Sequence, residues 1–577
     1  MKLRTKYEIG DVPHSEYPRP QFKRDSYLSL NGYWSFKKAK IGDDVYDLDE
    51  KILVPFSPES INSGIGDGFC LCDDEMLLYE RSFNIGKEMM KGVTYLHFGA
   101  VDQECFVYIN GTLAGSHKGG YTPFHIEIQD YIREGENTIR VKCTDITERS
   151  HGARGKQSSH PGKIWYTAQS GIWQSIWMES VPKEHIKDIT VRTYPDTGTV
   201  RIITDSDIKK HITVYDNGRQ IISCDLNRET ELHYDFELWS PESPKIYSFV
   251  ISTDSGDTVG SYFGVRSFAI GKDSHGTPRL MLNGKPYFMN GVLDQGYWSD
   301  GLLTPPSDEA IYDELRMLKN MGFNMIRKHI KIEPMRWYYY CDMMGLIVWQ
   351  DIVNGGGEYK FSHIAAFPFL GFKHKDSDYK YFSRENEGGR EEYIVSLHET
   401  VCALKNVTSI GVWVPFNEGW GQFDSYKITC MLKEQDGTRI IDSVSGWHDQ
   451  GRDKTTLRSM HTYYTPLRVP RDTRPVVLSE FGGYSIKTPD HVYSEKEFGY
   501  KIFRSEESFC HAVSELYLKK LLPLISKGLC AAVYTQVSDV EEEINGLVTY
   551  DRAVIKIPVA FMRDINDKID DEARKIK

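Results

Sequence analysis

The sequence predicts a multidomain protein in which two β-sandwiches, a jelly roll and then an immunoglobulin-like unit, precede a C-terminal (β/α)8 TIM barrel. Three observations predict it. Apolar residues alternate with polar ones in short runs as far as about residue 270. The turns between those runs are rich in glycine and asparagine. From about residue 271, continuous apolar runs alternate with stretches of helical period. At 577 residues the chain exceeds one ordinary core, and usual domain sizes predict about three or four units.

Residues 1–183 are expected to form the first sandwich. Val93 and Tyr95 alternate, as do Cys105, Val107 and Ile109, and the chain then turns at Asn110-Gly111, a pair suited to the positive φ of a tight hairpin. Alternation resumes at Phe124, Ile126 and Ile128, and again at Ile139 and Val141. Residues 184–270 repeat the rhythm on a smaller scale. Val200, Ile202 and Thr204, then Ile212 and Val214, lead to a turn at Asn217-Gly218. A further run follows through Leu232, Tyr234, Phe236 and Leu238 before the proline-rich corner 239–244.

Residues 271–577 carry the barrel. Strands are expected at 289–294, 323–329, 346–351, 411–418, 439–446, 458–464, 475–480 and 531–536, most of them separated by a helical stretch. Buried parallel strands read as continuous apolar runs, and eight in about 300 residues fit a closed barrel. An open doubly wound sheet is the competing fold; it normally carries a glycine-rich phosphate turn after its first strand, which is missing here. The irregular segment from Ile352 to Arg384 holds Gly355-Gly356-Gly357 and many aromatics. It leaves the third strand at the end where barrel sites form, so it is expected to wall a pocket.

Composition narrows the function classes. Seventy basic against 82 acidic side chains give a net charge of -12, a field that attracts neither nucleic acid nor an anionic membrane. No apolar run approaches a membrane span, and no apolar segment follows the basic start as in a secretion signal, so the cytoplasm is the expected compartment. The ten cysteines are scattered without a CxxC pair and are expected to be reduced and mostly buried. A homo-oligomer is left open.

In barrel enzymes the reactive groups sit at the C-terminal ends of strands. That rule selects Asp294, Arg327, His329, Trp349, Asp351, Asn417, Glu418, His461, Tyr463, Glu480 and Gln536. Glu418 and Glu480 end the fourth and seventh strands, facing each other across the mouth. A carboxylate at the end of a buried strand loses hydration, so it needs a partner or a task. Pairing with Arg327 or capping of the next helix would explain one such residue; two opposed ones fit glycoside hydrolysis. There one carboxyl donates a proton to the leaving oxygen and the other attacks the anomeric carbon. Glu418 is read as acid/base, because Asn417 beside it can hold a sugar hydroxyl, and Glu480 as nucleophile, kept ionised by Arg327 and Tyr463. Trp349, Trp420 and Trp447 could stack on a sugar face or simply pack. His461, Tyr463 and Tyr464 could contact sugar or fill the core.

These residues carry a resemblance. Asn110 to Phe124 and Ser170-Gly-Ile-Trp-Gln-Ser-Ile-Trp177 resemble the sugar-binding jelly roll of glycoside hydrolase family 2, the family of bacterial β-galactosidases, β-glucuronidases and β-mannosidases. Leu238 to Pro244 and Phe263-Gly-Val-Arg266 resemble its immunoglobulin-like unit. Leu282 to Pro286, Gly322 to Arg327 and Trp413-Val-Pro-Phe-Asn-Glu-Gly-Trp420 resemble its barrel. The resemblance implies acid/base chemistry on Asn417-Glu418 and a nucleophile at Glu480 within Ser479-Glu-Phe-Gly-Gly483. It further implies contacts of His329 and His461 with sugar hydroxyls.

Departures from the family pattern bear on the sugar. Leu293-Asp294-Gln295 stands where family galactosidases and glucuronidases have a His-Glu pair. The stretch after the last strand reads Glu541-Glu-Glu-Ile-Asn545 and lacks the lysine that meets a uronate. The three acids are expected to repel a uronate, so a neutral β-galactoside is the expected substrate, with β-glucuronidase, β-mannosidase and a non-catalytic carbohydrate-binding protein as alternatives. Neither a cofactor nor a metal is expected, since no ligand cluster is visible in the sequence. The expected partner is a carbohydrate substrate.

Overall fold

The computed structural model describes residues 3–43, 47–66, 68–369, 371–451, 453 and 455–576. The first sandwich packs a six-stranded sheet, in the order Glu50–Val54, Gly32–Lys40, Glu75–Ile85, Gly135–Thr144, Glu104–Ile109 and Thr112–Lys118, on a four-stranded one. The latter runs Leu28–Ser29, Ile176–Val181, Val93–Phe98 and Phe124–Glu127. Alternation decides what lies between the sheets: along Gly135–Thr144, Asn137, Ile139, Val141 and Cys143 are buried and their neighbours are not. They meet Trp34, Phe36, Leu96 and Val107 in one core. Asn110 and Gly111 turn the hairpin with φ of +49° and +83°, the geometry their identities predict.

The second sandwich opposes a three-stranded sheet (Ile189–Tyr194, Thr199–Thr204, Glu229–His233) to a four-stranded one (Arg219–Leu226, Lys210–Asp216, Tyr247–Thr253, Thr258–Phe263). The run expected to continue through Leu238 stops as a strand at His233. Beyond it Phe236 alone enters the core, while Tyr234 and Leu238 stay exposed.

A hairpin, Phe268–Lys272 and Pro278–Leu282, then closes the lower end of the barrel, where Phe268, Leu280 and Leu282 pack against Met289, Val412 and Val477. The barrel strands are β1 Met289–Asp294, β2 Met325–Lys328, β3 Ile347–Asp351, β4 Ile410–Val414, β5 Ile440–Ile441, β6 Arg458–Thr462, β7 Val476–Gly482 and β8 Leu529–Thr535. Every expected strand is present, and neighbours follow chain order around one eight-stranded parallel sheet, with β1 paired to both β2 and β8. The reversal of order that marks a doubly wound sheet does not occur. The sheet has one seam, between β5 and β6, which share no ladder. Side chains bridge it: Ser445, just after β5, lies with its Oγ 3.0 Å from His461 Nε2 on β6 and donates to Ser479 Oγ on β7 at 2.9 Å.

Along the strands, odd residues of β1 to β3 (Met289, Leu293, Met325, Ile347, Trp349) face the barrel interior, and even ones (Val292, Ile326, Val348) face the helices. On β7 the alternation breaks. Met460 and His461 pair with Leu478 and Glu480, and Leu478 and Phe481 pair with Ala532 and Tyr534, so the strand carries an extra residue. Leu478 and Phe481 both point outward, which leaves Ser479 and Glu480 together on the inner side, as a β-bulge allows.

The ten cysteines are unpaired; four are buried, three half-buried and three (Cys70, Cys72 and Cys402) exposed, so fewer are buried than the sequence led us to expect. Among the described residues no helix is long and apolar enough to cross a membrane.

The sandwich and the barrel are knitted together by glycines. Ala153 pairs with Gly355 in an antiparallel bridge, and Arg154 N and Gly155 N donate to Asn354 O at 2.9 and 3.1 Å. A Cβ on Gly355 would stand 1.9 Å from Gly152 O, and one on Gly421 would stand 2.1 Å from Gly355 O. Three backbones thus touch where no side chain fits. Replacing Gly355 by Ala is expected to destabilise the protein by about 1–3 kcal/mol, the usual cost of overpacking. Urea unfolding measures it; an unchanged midpoint would mean that the loop simply steps aside.

Candidate active site

The barrel mouth is organised around Arg327. This residue ends β2 on its inner face and is fully buried. Its Nε and Nη2 donate to the two oxygens of Asp351, at the end of β3, at 3.0 Å each. Nη2 also donates to Asn417 Oδ1 at 2.8 Å, and Nη1 to Glu480 Oε1 and Ser479 O, both at 3.1 Å. One guanidinium therefore spans β2, β3, β4 and β7, and its planar fork is suited to that task.

Glu480 faces inward because of the bulge on β7. Its Oε2 accepts from Tyr463 Oη and lies 3.4 Å from His461 Nδ1. Tyr463 is stacked flat on Tyr500, with ring centroids 3.6 Å apart. Glu418 arrives differently. The ladder of β4 ends before Pro415 and resumes as a bridge between Asn417 and Ser445, and Glu418 N donates to Ser445 O at 3.0 Å. Glu418 takes φ +51°, a left-handed conformation that costs a non-glycine residue about 1 kcal/mol. The strained turn aims its carboxylate at His461 Nδ1, 2.6 Å away. Gly446 makes room, since a Cβ there would lie 2.7 Å from that nitrogen.

The two carboxyls differ in acidity. Burial raises Glu418, the nearby charge of Glu480 adds to the effect, and the hydrogen bond from His461 only partly opposes it. Burial would raise Glu480 as well, but His461, Arg327 and the Tyr463 hydroxyl outweigh it and hold Glu480 below the ordinary value. His329 donates from Nδ1 to Asp351 Oδ2 at 2.8 Å; burial, with Lys156 and Arg327 nearby, keeps its ring neutral. Asn417 Nδ2 is buried with no partner in the protein, so one donor is left aimed at the mouth.

Of the residues selected from the sequence, Glu418, Glu480, Asn417, Arg327, His329, Asp351, His461 and Tyr463 are drawn together. Trp447 stands beside them, its ring 6.2 Å from His461. Gln536 follows Thr535, whose hydroxyl is 3.1 Å from Tyr463 Oη; it accepts from Gln295 at 2.7 Å and keeps Nε2 unbonded. Two others lie elsewhere. Asp294 has the outward parity of Val292 and is paired at 2.5 Å with Lys328, which is outward too. Trp349 points inward one layer too low, donating to Met289 Sδ at 3.1 Å within the barrel core. Tyr464 is exposed.

The fold also brings up residues that strand-end reasoning missed. Lys156 and Trp165 come from the first sandwich, Tyr359 from the long loop and Tyr500 from the segment after β7. Trp165 packs on Trp420 and Tyr359 at centroid distances of 5.1 and 5.8 Å. No spacing in the sequence links these residues. The aromatics of the loop expected to wall a pocket divide: Tyr359 packs on Trp165, whereas Phe361 and Phe367 are 71% and 40% exposed.

Contrary to the sequence expectation, donors suited to a metal do converge. One atom each from Glu418, His461 and Glu480 lies within 4.8 Å of the others. Two ligands about 2.1 Å from one ion stand roughly 3 Å or more apart, and the 2.6 Å between His461 and Glu418 is a hydrogen bond instead. The set therefore fits proton chemistry better than an ion.

Comparison with known proteins agrees with this architecture. Residues 64–182 match the family described as glycosyl hydrolases family 2, sugar binding domain, and residues 276–515 match the TIM barrel domain of the same family. A β-galactosidase of Priestia megaterium is 24% identical over 469 residues, covering 75% of this chain and 42% of that protein. The chain thus spans less than half the length of this curated relative. A β-D-glucuronidase structure from Dictyoglomus thermophilum superimposes with a TM-score of 0.74 at 18% identity, over 96% of this chain and 98% of that one. A β-galacturonidase of Eisenbergiella tayi, bound to galacturonate, does so at 0.67 and 17% identity, over 99% of both. With both family regions matched in order and the sandwiches and barrel in place, the chain belongs to glycoside hydrolase family 2.

Proposed function

We propose that this chain is a retaining exo-β-glycosidase acting through Glu418 and Glu480. The observation that carries the reading is the pairing of two opposed carboxyls of unlike acidity, with an oxygen of each within 4.8 Å of the other. Retention calls for a separation of about 5–5.5 Å, whereas an inverting pair stands about 6.5–9.5 Å apart to admit a water. Glu418, the weaker acid, gives its proton to the leaving oxygen. Glu480, held ionised by Arg327 and Tyr463, attacks the anomeric carbon and forms a glycosyl ester. Glu418 then takes a proton from the water that cleaves the ester. The unspent Asn417 Nδ2 and the neutral His329 ring are placed to bind sugar hydroxyls. The Gly355 bridge and the Trp165–Tyr359–Trp420 cluster wall one side of the mouth, which favours attack on chain ends.

Two glycone classes compete. A neutral β-galactoside was expected because three acids follow β8. In the fold those acids are already bonded: Glu541 accepts from Thr167 N at 2.9 Å, Glu542 from Lys163 N at 3.1 Å, and Glu543 from the Tyr166 hydroxyl and Asn545. They tie the last barrel loop to the first sandwich and so have a structural task there, although their neutral donors leave the charge of the acids in place.

Glu480→Gly is expected to lower kcat by at least about a thousandfold, with azide restoring turnover as an inverted glycosyl azide; a fluoroglycoside label on another residue would overturn the assignment. Glu418→Ala is expected to cost a sugar–sugar linkage about 10²–10⁴-fold more than an activated aryl glycoside. Equal losses on both would make Glu418 a binding residue. Tyr463→Phe removes a donor to the Glu480 carboxylate, so Glu480 protonates at higher pH. The acid limb of kcat/KM should then move to higher pH, since one of the groups that hold Glu480 ionised is gone. A limb that stays in place would refute the role of Tyr463. On an oligosaccharide, monosaccharide should be released from the first time point, and early internal fragments would refute exo action.

A further inference from the structure

Among the described residues five lysines are buried: Lys156, Lys210, Lys328, Lys331 and Lys556. Four have their ammonium groups satisfied by polar partners. Lys328 pairs with Asp294 and Glu333, Lys331 with Glu333, and Lys556 with Asp539. Lys210 donates to the carbonyls of Ser206 and Ile208. Lys156 is the exception: among the described residues its Nζ has neither a hydrogen bond nor a counter-ion. Its ammonium stands over two aromatic faces, Tyr166 at 5.4 Å and Trp420 at 5.6 Å. The residue as a whole is 6% exposed, and cation–π contact supplies only part of what an anion would supply to its ammonium.

The chain around Lys156 is fixed. Gly155, with φ +63°, is hemmed in by Tyr121 Oη and Ile330 O, 3.0 and 3.1 Å from where its Cβ would be. Gln157 pairs with Tyr166 in a short parallel ladder, and Arg154 donates to Gly357 O at 3.0 Å. The ammonium is thereby held over the mouth. Trp420, beneath it, meets His329 edge-on at 6.2 Å, and the charge of Lys156 is felt at both Glu418 and His329. His329 bonds Asp351, the partner of Arg327, which in turn bonds Glu480. Two cations that follow the acidic run are spent: Arg552 pairs with Glu314 at 2.8 Å and Lys556 with Asp539 at 2.5 Å.

We propose that Lys156, supplied by the first sandwich and not by the barrel, reads the carboxylate of a uronic acid held in this site, so that the preferred substrates are β-uronides. The inference rests on the glycosidase reading for its setting. The unpaired ammonium is the missing half of an ion pair that the substrate completes, and its fixed position over Trp420 selects a negative group at that edge of the ring.

The test is the ratio of kcat/KM for an aryl β-glucuronide or β-galacturonide to that for the matching neutral aryl glycoside, measured in wild type, Lys156→Met and Lys156→Arg. An effect exerted through Glu418 acts on both substrates alike and leaves the ratio unchanged; charge recognition does not. The wild type is expected to favour a uronide, Lys156→Met to lower the ratio at least fiftyfold, and Lys156→Arg to restore part of it. A ratio unchanged in Lys156→Met, or a wild type that prefers neutral glycosides, overturns the proposal. Calorimetric titration with free glucuronate, galacturonate, glucose and galactose gives an answer independent of turnover. Uronate binding that is lost in Lys156→Met supports the proposal, and uronate binding equal in both proteins overturns it. Failure of the glycosidase reading is separate: it would show as no turnover of any glycoside and no fluoroglycoside label on Glu480.

Discussion

The mouth of this barrel depends on the burial of one guanidinium. Arg327 is the only cation in contact with Asp351, Glu480 and Asn417 among the described residues, and each of those contacts holds a different strand end at a set distance. Burying two carboxylates beside each other without a cation would drive protons onto them. With Arg327 bidentate on Asp351 and also bonded to Glu480, both can remain charged out of water, and His329 is locked against Asp351 in a neutral form. After His461, this charge is the next largest influence holding Glu480 below the ordinary value, and it adds to the acidity difference between Glu418 and Glu480. It touches Glu480 and does not touch Glu418.

The opposite side of the mouth is built by other means. Glu418 is brought in by a left-handed residue after an interrupted strand, and the space around it exists because Gly446 has no side chain. The seam between β5 and β6 lacks backbone pairing, yet it lies where Ser445, Ser459, Ser479 and His461 form a hydroxyl–imidazole chain, with Ser459 Oγ 2.5 Å from Ser479 Oγ. Side-chain hydrogen bonds thus complete the barrel at the point where the two glutamates meet. A strained residue and an open ladder next to reactive groups are the local inconsistencies that working sites tolerate.

The first sandwich is part of the same site. Glycine contacts at 152, 355 and 421 bring it against the barrel without side chains between them, and the acidic residues after β8 fasten loop 163–167 from the other side. Held at both ends, the segment from Arg154 to Tyr166 places Lys156 and Trp165 over Trp420. The two glutamates proposed as catalytic belong to the barrel, while the charge and the aromatic wall at its edge come from a different unit. Chemistry and selectivity can therefore change independently in such a design.

Much of this was legible from the residues alone. Period-two runs with Asn-Gly turns marked the sandwiches, and continuous apolar runs marked all eight barrel strands, because burial on one face or two leaves its period in the chain. Strand ends, with the family motifs around them, pointed to Glu418 and Glu480. Strand ends do not tell which face a side chain takes. Simple parity turns Asp294 outward, onto Lys328, and would have turned Glu480 outward also. A bulge reversed the latter, and a bulge is set by pairing with neighbouring strands, which no local pattern records. The acids at 541–543 read as a repulsive loop, and only the fold supplied their partners. Lys156 had no signal at all, since what distinguishes it is the absence of a counter-ion. Periodicity is written in the chain because each residue carries its own hydrophobicity; contacts between units hundreds of residues apart exist only once the chain has folded.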